Sequence, residues 1–494
     1  MEADSTRTGP LSMDQYQWLF NTCRIPKAGT DVIRVSDKIK NNHIIVSRNG
    51  KFYSVSAVHA SGVQLNTAEL ETRVLQMAGQ TKDVCLGSLT ANNRDAWAQA
   101  RCELLESSVN LASLDQIESA SFMIVLENGS PESLTDVSRS TWLGDGRNRW
   151  NDVTCQYLIY ENGKAGFVGE HSMIDGTSTG RMVEFIIDSL DKGKINYGPP
   201  EISSSLPLPT KLGWELNESL LFHIKSAEWA FEDLNAREDM KVLGFHEFGK
   251  QQIKKFNVSP DAFVQMAIQL GYYKMYGYCK PTYESAQTRK YAYGRTETCR
   301  TVSVESVAWC KAMGDPTLPM HEKAELLLKA ITSHVKRMGE AVDAKGVDRH
   351  LLGLKHQIKS GEEIPRMFAD PEYDATRTWI LSTSQVSSEC FEGYGWSQVC
   401  ANAYGIPYCV KNNSLLVTVT CLKQLNASAL SDSIATALRE MRALFAEASA
   451  VKIPVDIKPV NTKTAAVAKQ PMILESRRMS LVEMTASTAS LIAT

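Results

Sequence analysis

Absent from the 494-residue chain is any apolar run approaching the roughly 18 residues that a membrane span needs, which leaves no candidate transmembrane segment. Absent too is a Cys-x-x-Cys pair among the eleven scattered cysteines. The opening MEADSTRTGPLSMDQ has neither the apolar core of a signal peptide nor the Arg-rich character of a transit peptide. Free thiols in a reducing compartment are therefore expected, with no disulfide framework and no metal site. No long Lys/Arg stripe appears and the net charge is −3, so nothing points to nucleic acid as a partner. The C-terminal LIAT matches no retrieval or peroxisomal signal. These absences predict a cytoplasmic protein. What is present is ordinary for a folded soluble chain, 43% hydrophobic and 22% charged, and the length calls for two domains or lobes.

Residues 1–12 read as a loose tail. NHIIVSRNGKFYSVSAV (42–58) reads as a hairpin around an Arg-Asn-Gly turn, and CQYLIYENGKAGFV (155–168) as another around Glu-Asn-Gly. Helical spacing marks 67–79 and 93–113, the second with good capping chemistry at its start. Helix and strand then alternate to about 445, which indicates an α/β architecture. The Pro- and Ser-rich GPPEISSSLPLPTK (198–211) is the candidate crossing between lobes. The last expected helix is 428–449. The remaining 450–494 has the composition of a segment that does not pack, and its RRMSL resembles a basophilic kinase site at Ser480 as well as a chance match.

Five stretches carry candidate chemistry. In GEHSMIDG (169–176) His171 ends a strand-like run, with Asp175 four residues on. A histidine titrates near neutral pH and can act as a general base, while a lone one is more often structural or solvated. In FGKQQIKKFNVSPDAFVQMAIQLGYYKMYG (248–277), Ser259-Pro260 is a strong helix start, and Asp261 complements the positive end of the helix dipole. Phe263, Met266, Ala267 and Leu270 recur at helical spacing and mark a buried face. Lys250, Lys254 and Lys255 just upstream are either a phosphate-holding group or a solvated loop. KPTYESAQTRKYAYGRTETCRT (280–301) gathers Tyr283, Ser285, Thr296, Glu297 and Arg300, which either face solvent or line a polar pocket. In KGVDRHLLGLK (345–355), Arg349 either pairs structurally or offers its planar fork to a carboxylate. In WILSTSQVSSE (379–389), Ser382, Thr383, Ser384 and Gln385 collect at a strand end, to satisfy local backbone or to donate to an oxyanion.

These stretches occur in order with MDQYQWLFNTCRIP (13–26) and WLGDGRNRW (142–150). On those motifs the chain resembles the carnitine/choline acyltransferase family, and within it the carnitine-specific, fungal-type short-chain members. The resemblance covers most of the chain and ends near 428–449. It implies two similar α/β lobes, each a mixed sheet flanked by helices of the chloramphenicol acetyltransferase-like kind, with an active-site tunnel at their interface. Residues 13–210 would form the N-terminal lobe, which carries the catalytic histidine, and 211–449 the C-terminal lobe.

The resemblance also implies roles. His171 corresponds to the base that removes a proton from the carnitine hydroxyl or the coenzyme A thiol, with direct acyl transfer and no covalent enzyme intermediate. Asp175 holds the acidic position of the His-x-x-x-Asp/Glu signature as an orienting residue. Ser384 matches the serine that stabilises the oxyanion, helped by carnitine's own trimethylammonium. Lys250, Lys254, Asp261 and Gln385 fall on coenzyme A positions, and Tyr283, Ser285, Thr296, Arg349 and Ser382 on carnitine positions. The implied substrates are acyl-CoA and L-carnitine, with no permanently bound cofactor, no metal and a monomeric state. An arginine at 349 favours carnitine over choline, since a charge-assisted hydrogen bond to a carboxylate contributes roughly 1.5–3 kcal/mol, on the order of 10- to 150-fold.

The chain departs from the family pattern in three places. It begins almost at MDQYQWLFN; as the natural product this would leave the N-terminal lobe and tunnel incomplete, the circumstance in which an inert member binding coenzyme A or a protein is the rival expectation. Asn151 stands where an aromatic is usual and Val153 where a lysine is usual. FEGYGWSQVCANAYG (391–405), in the region that shapes the acyl pocket, also differs. Acetyl is the expected acyl group.

Overall fold

The computed structural model describes residues 3–6, 9–75, 83–195, 197–199, 201–203 and 206–450. The segment from 451 on, with Ser480, lies outside the described residues. Two six-stranded mixed sheets, each flanked by helices, organise the described chain. The first runs, edge to edge, Thr210–Lys211, Lys51–Ser56, His43–Arg48, Met123–Leu126, Cys155–Ile159, Ala165–Gly169. The second runs Glu238–Phe245, Leu415–Leu422, Tyr404–Val410, Leu381–Gln385, Thr282–Gln287, Thr296–Arg300. Read in those orders, both sheets pair antiparallel, antiparallel, parallel, parallel, antiparallel. The two lobes are therefore of one design, as expected. No helix among the described residues is long and apolar enough to cross a membrane.

Local chemistry explains the hairpins. Asn49 (φ 54°) and Gly50 (φ 77°) both adopt the left-handed conformation that a tight two-residue hairpin turn demands. Cys155–Ile159 and Ala165–Gly169 pair as the Glu-Asn-Gly signal predicts, with Gly163 at φ 78°. The helix expected over 93–113 is two. Asn93 caps the first, Arg94–Leu104, but Ser107 accepts from the amides of Val109 and Asn110 and starts a second, Ser108–Ser119. Helix Pro260–Tyr276 begins as predicted: Ser259 Oγ accepts from Ala262 N, proline fills the first turn, and Gly277 at φ 75° ends it. It is buried on every side from Ala262 to Tyr272, not on one face, because it lies between its sheet and the helices Met320–Val342 and Ala427–Ala450. The last of these matches the expected final helix.

Two boundaries move. Helix Glu218–Arg237 contributes Leu220, Ile224 and Ala227 to the core of the first lobe. The stretch 198–211 expected as the crossing is thus followed by a helix that still packs on the first core, and the chain enters the second sheet at Glu238. The described residues of the expected loose tail are also held in place. Buried Arg289 of the second lobe donates to Asp4 Oδ2 at 2.7 Å and to the Ser12 carbonyl at 2.8 Å, and Tyr16 O–H donates to Asp4 at 2.6 Å. A carboxylate in reach of a buried guanidinium is what ties that segment down.

Candidate active site

His171 stands two residues beyond the edge strand Ala165–Gly169, and its side chain is 73% exposed. Nδ1 lies 2.5 Å from the Ile174 carbonyl, which can only accept, so Nδ1 carries the proton and Nε2 presents its lone pair outward. The loop that holds this ring is fixed from both lobes. Arg295, in the hairpin of the second lobe, donates to the carbonyls of Ser172 (2.5 Å) and His171 (3.0 Å), and to Asp175 Oδ1 at 2.7 Å. Gln15 donates to Asp175 Oδ2 at 2.6 Å and accepts from the Asp175 amide and the Ser178 hydroxyl. Burial works to raise the Asp175 carboxyl, but the hydrogen bond and charge of Arg295 outweigh it and hold it below its ordinary value. Asp175 is thus an anchored carboxylate, 3.7 Å from the imidazole Nδ1 rather than hydrogen-bonded to it. Sequence reasoning missed Arg295 and Gln15, which reach Asp175 across 120 and 160 residues. Their only signal was membership of the GRTET and MDQYQW motifs.

The hydroxyl cluster lies on strand Leu381–Gln385. Side chains alternate across a strand, so Ser382 and Ser384 share one face and Thr383 takes the other. Ser382 lies opposite Tyr283, and Tyr283 and Ser285 lie opposite Arg300 and Thr298. The expected carnitine positions on these strands therefore share a face. Arg349, on helix Asp348–Lys355, joins them: Nη2 reaches Thr296 Oγ1 at 3.3 Å and the Tyr283 hydroxyl at 3.5 Å. Among the described residues no carboxylate lies within ion-pair distance of its guanidinium. The two clusters approach each other where helix Gly176–Asp191 meets the end of the serine strand. A Cβ on Gly176 would come within 3.2 Å of Val386, and one on Gly180 within 3.4 Å of Val386 and Phe391.

The expected coenzyme A residues are less tightly gathered. Lys250 and Lys254 stand one turn apart on the short helix Lys250–Lys255, half-buried and exposed respectively. No hydrogen bond or ion pair among the described residues joins them to Asp261 or Gln385; Gln385 donates to Ser387 at 2.9 Å. Asp261 turns inward, where its carboxylate accepts from Tyr408 at 2.6 Å, and burial reinforced by the charge of Glu284 pushes it up to about 7.

Behind the sheet, Thr383 donates to the Tyr283 carbonyl and accepts from buried Gln265. Glu284, Cys299 and His334 form a buried group with metal-type donors within 4.8 Å of one another. His334 Nε2 sits 2.7 Å from Glu284 Oε2, hydrogen-bond length and shorter than the spacing of two ligands around one ion. Burial disfavours the charged imidazole, yet Cys299 and Glu284 outweigh it and push His334 up to about 10.

Residues 1–440 match the family model described as choline/carnitine O-acyltransferase. The chain is 35% identical over 424 residues to the mitochondrial carnitine O-acetyltransferase of Saccharomyces cerevisiae, covering 83% of this chain and 63% of that protein. It is 33% identical over 458 residues to the human carnitine O-acetyltransferase, covering 88% and 72%. To human choline O-acetyltransferase it is 30% identical over 480 residues, covering 92% and 63%. The chain thus spans about two thirds of the length of these relatives. With a loop at His171 held from two lobes of one design and these matches along it, the chain belongs to the choline/carnitine O-acyltransferase family.

Proposed function

We propose that the protein reversibly transfers a short acyl group, acetyl first, between acyl-CoA and L-carnitine. The observation that carries the reading is the Arg349 guanidinium, without an ion-pair partner among the described residues, beside Tyr283 and Thr296 and on the side of the sheet that bears Ser382 and Ser384. A zwitterionic alcohol supplies the missing carboxylate; choline does not. In the forward step His171 Nε2 takes the carnitine hydroxyl proton, and the oxygen attacks the thioester carbonyl. Ser384 donates to the oxyanion of the tetrahedral intermediate. The intermediate expels the coenzyme A thiolate, which takes the proton back from His171. Asp175 carries no proton in this scheme; it anchors the loop. Lys250 and Lys254 offer charge to coenzyme A phosphates, with Asp261 and Gln385 as further contacts.

The acetyl preference draws support from Tyr394, whose buried hydroxyl donates to the Ser384 carbonyl, with Trp396 against its ring. On this reading the ring, tied to the backbone of the serine strand, bounds the acyl pocket and limits chain length. The free thiols fit a reducing compartment such as the cytosol. The test is release of free coenzyme A from acetyl-CoA by the purified chain with carnitine, choline or no acceptor. Carnitine-dependent release that His171→Ala abolishes is expected. Release that survives this substitution overturns the mechanism, and no release with any acceptor overturns the activity in favour of a binding role.

A further inference from the structure

Two arginines serve the carnitine-facing side of the second sheet, and their surroundings treat them differently. Arg300 lies opposite Tyr283 in the strand register. Its guanidinium grips Asp348 with two prongs, Nε at 3.0 Å and Nη2 at 2.7 Å, while Nη1 donates to the Thr376 carbonyl at 2.8 Å. It also lies over the Trp379 ring at 4.8 Å, and that ring stands 5.7 Å from the ring of Tyr283. With its charge paired to Asp348 and three of its five N–H donors engaged, Arg300 is committed to holding its neighbours. Among the described residues the Arg349 guanidinium makes only long contacts to neutral groups and keeps its charge available.

The two are linked through one residue. Asp348 is buried, opens helix Asp348–Lys355 and directly precedes Arg349. That helix starts without a side-chain cap of its own. Its first turn is held from outside, by Arg300 on Asp348 and by buried Glu297, which accepts the Arg349 amide at 3.3 Å. Gly346 makes the approach possible, since a Cβ there would sit 2.5 Å from the Glu297 side chain. An arginine side chain pivots through four bonds, so what aims its fork is the placement of its own backbone.

We propose that Arg300 is a positioning residue for acceptor selectivity. Through Asp348 it holds the helix so that the free Arg349 fork faces the acceptor's carboxylate, and the Arg300–Asp348 pair thereby sets the preference for a zwitterionic over a purely cationic alcohol. The proposal rests on the carboxylate-binding role given to Arg349 above. A brace that merely supports the fold would lower stability and depress all kinetic constants together; a positioning residue moves the carnitine constant alone.

The experiment measures kcat/KM for carnitine and for choline, and KM for acetyl-CoA, in Arg300→Gln and Asp348→Asn, each alone and combined with Arg349→Asn. Either single change is expected to lower the carnitine-to-choline ratio about tenfold or more by raising the carnitine KM, the size of one lost charge-assisted contact. KM for acetyl-CoA should stay within about twofold, and neither change should lower the ratio further once Arg349 is asparagine. Arg300→Lys, which keeps the charge but not the two-pronged grip, should recover part of the ratio. An unchanged ratio, a parallel rise in both substrate constants, or losses that multiply onto Arg349→Asn overturns the proposal. Should Arg300→Gln fail to fold, Asp348→Asn decides. If Arg349→Asn itself leaves the ratio intact, the carboxylate reading falls and this one with it; if it lowers the ratio while the other two do not, only the positioning role falls.

Discussion

His171 is exposed, bonds through Nδ1 to its own loop and is packed by little else, so its removal should separate chemistry from folding. His171→Ala is expected to lower turnover by about 10²–10⁴-fold, the usual worth of a general base, with an unchanged thermal midpoint. Coenzyme A release and a melt on the same sample check both halves. Asp175 is the opposite case. Its carboxyl sits below the ordinary 3.8, so the stability it contributes is complete above that value and lost as pH falls through its lower folded value. Asp175→Asn should therefore destabilise the protein by ~1–3 kcal/mol near neutrality, discounted from a fully buried pair because Arg295 is partly exposed. The gap to the unsubstituted protein should close in acid, as denaturant melts from neutral pH downward would register. Tyr394→Ala is expected to raise turnover of longer acyl-CoA substrates relative to acetyl-CoA, measured as a ratio of kcat/KM. An unchanged ratio would remove Tyr394 from the acyl pocket.

Among the elements, helix Gly176–Asp191 matters most, because its glycine face lies between the His171 loop and the end of the serine strand. Gly180→Leu would drive a branched chain into Val386 and Phe391, which would already crowd a single Cβ at 3.3–3.4 Å. A cost of about 1–3 kcal/mol from overpacking is expected, with a loss of turnover larger than the loss of folded protein. Circular dichroism melts alongside activity check it. At this scale much was legible in the sequence. Asn49-Gly50 and Gly163 gave hairpins because left-handed backbone has few tenants, and Ser259-Pro260 gave a helix start for an equally local reason. The break at Ser107 was obscured, since the same helical periodicity runs through both helices and only the cap marks the joint. The all-round burial of Pro260–Tyr276 was not readable either, because Gln265 and Gln269 look solvent-facing until Thr383 and Thr282 are seen to accept from them.

At the scale of the whole molecule, the family resemblance carried the two-lobe design and named the chemistry, while spacing alone could not join Arg295 to Asp175 or Arg289 to Asp4. Contacts across 120 or 285 residues leave no periodic trace in a single sequence. Nor could it show the charge cluster behind the second sheet. His334, pushed up to about 10, contributes stability that is full below 6.5 and is lost as pH rises through about 10. Midpoints should accordingly fall across that window, and fall less steeply in His334→Gln; a parallel slope would overturn the assignment.

The lobes repeat one pairing scheme, and the hairpins that occupy the same place in each, Cys155–Gly169 and Thr282–Arg300, are the ones that meet through Arg295 and the His171 loop. Under the proposed function neither lobe is half a catalyst. The rate should then vary as the product of two conditions, each lobe intact and each seated on the other, and not as their sum. Mild perturbation of either should extinguish turnover well before the spectroscopic signal of folding moves, which makes activity itself the most sensitive gauge of how the two halves are seated.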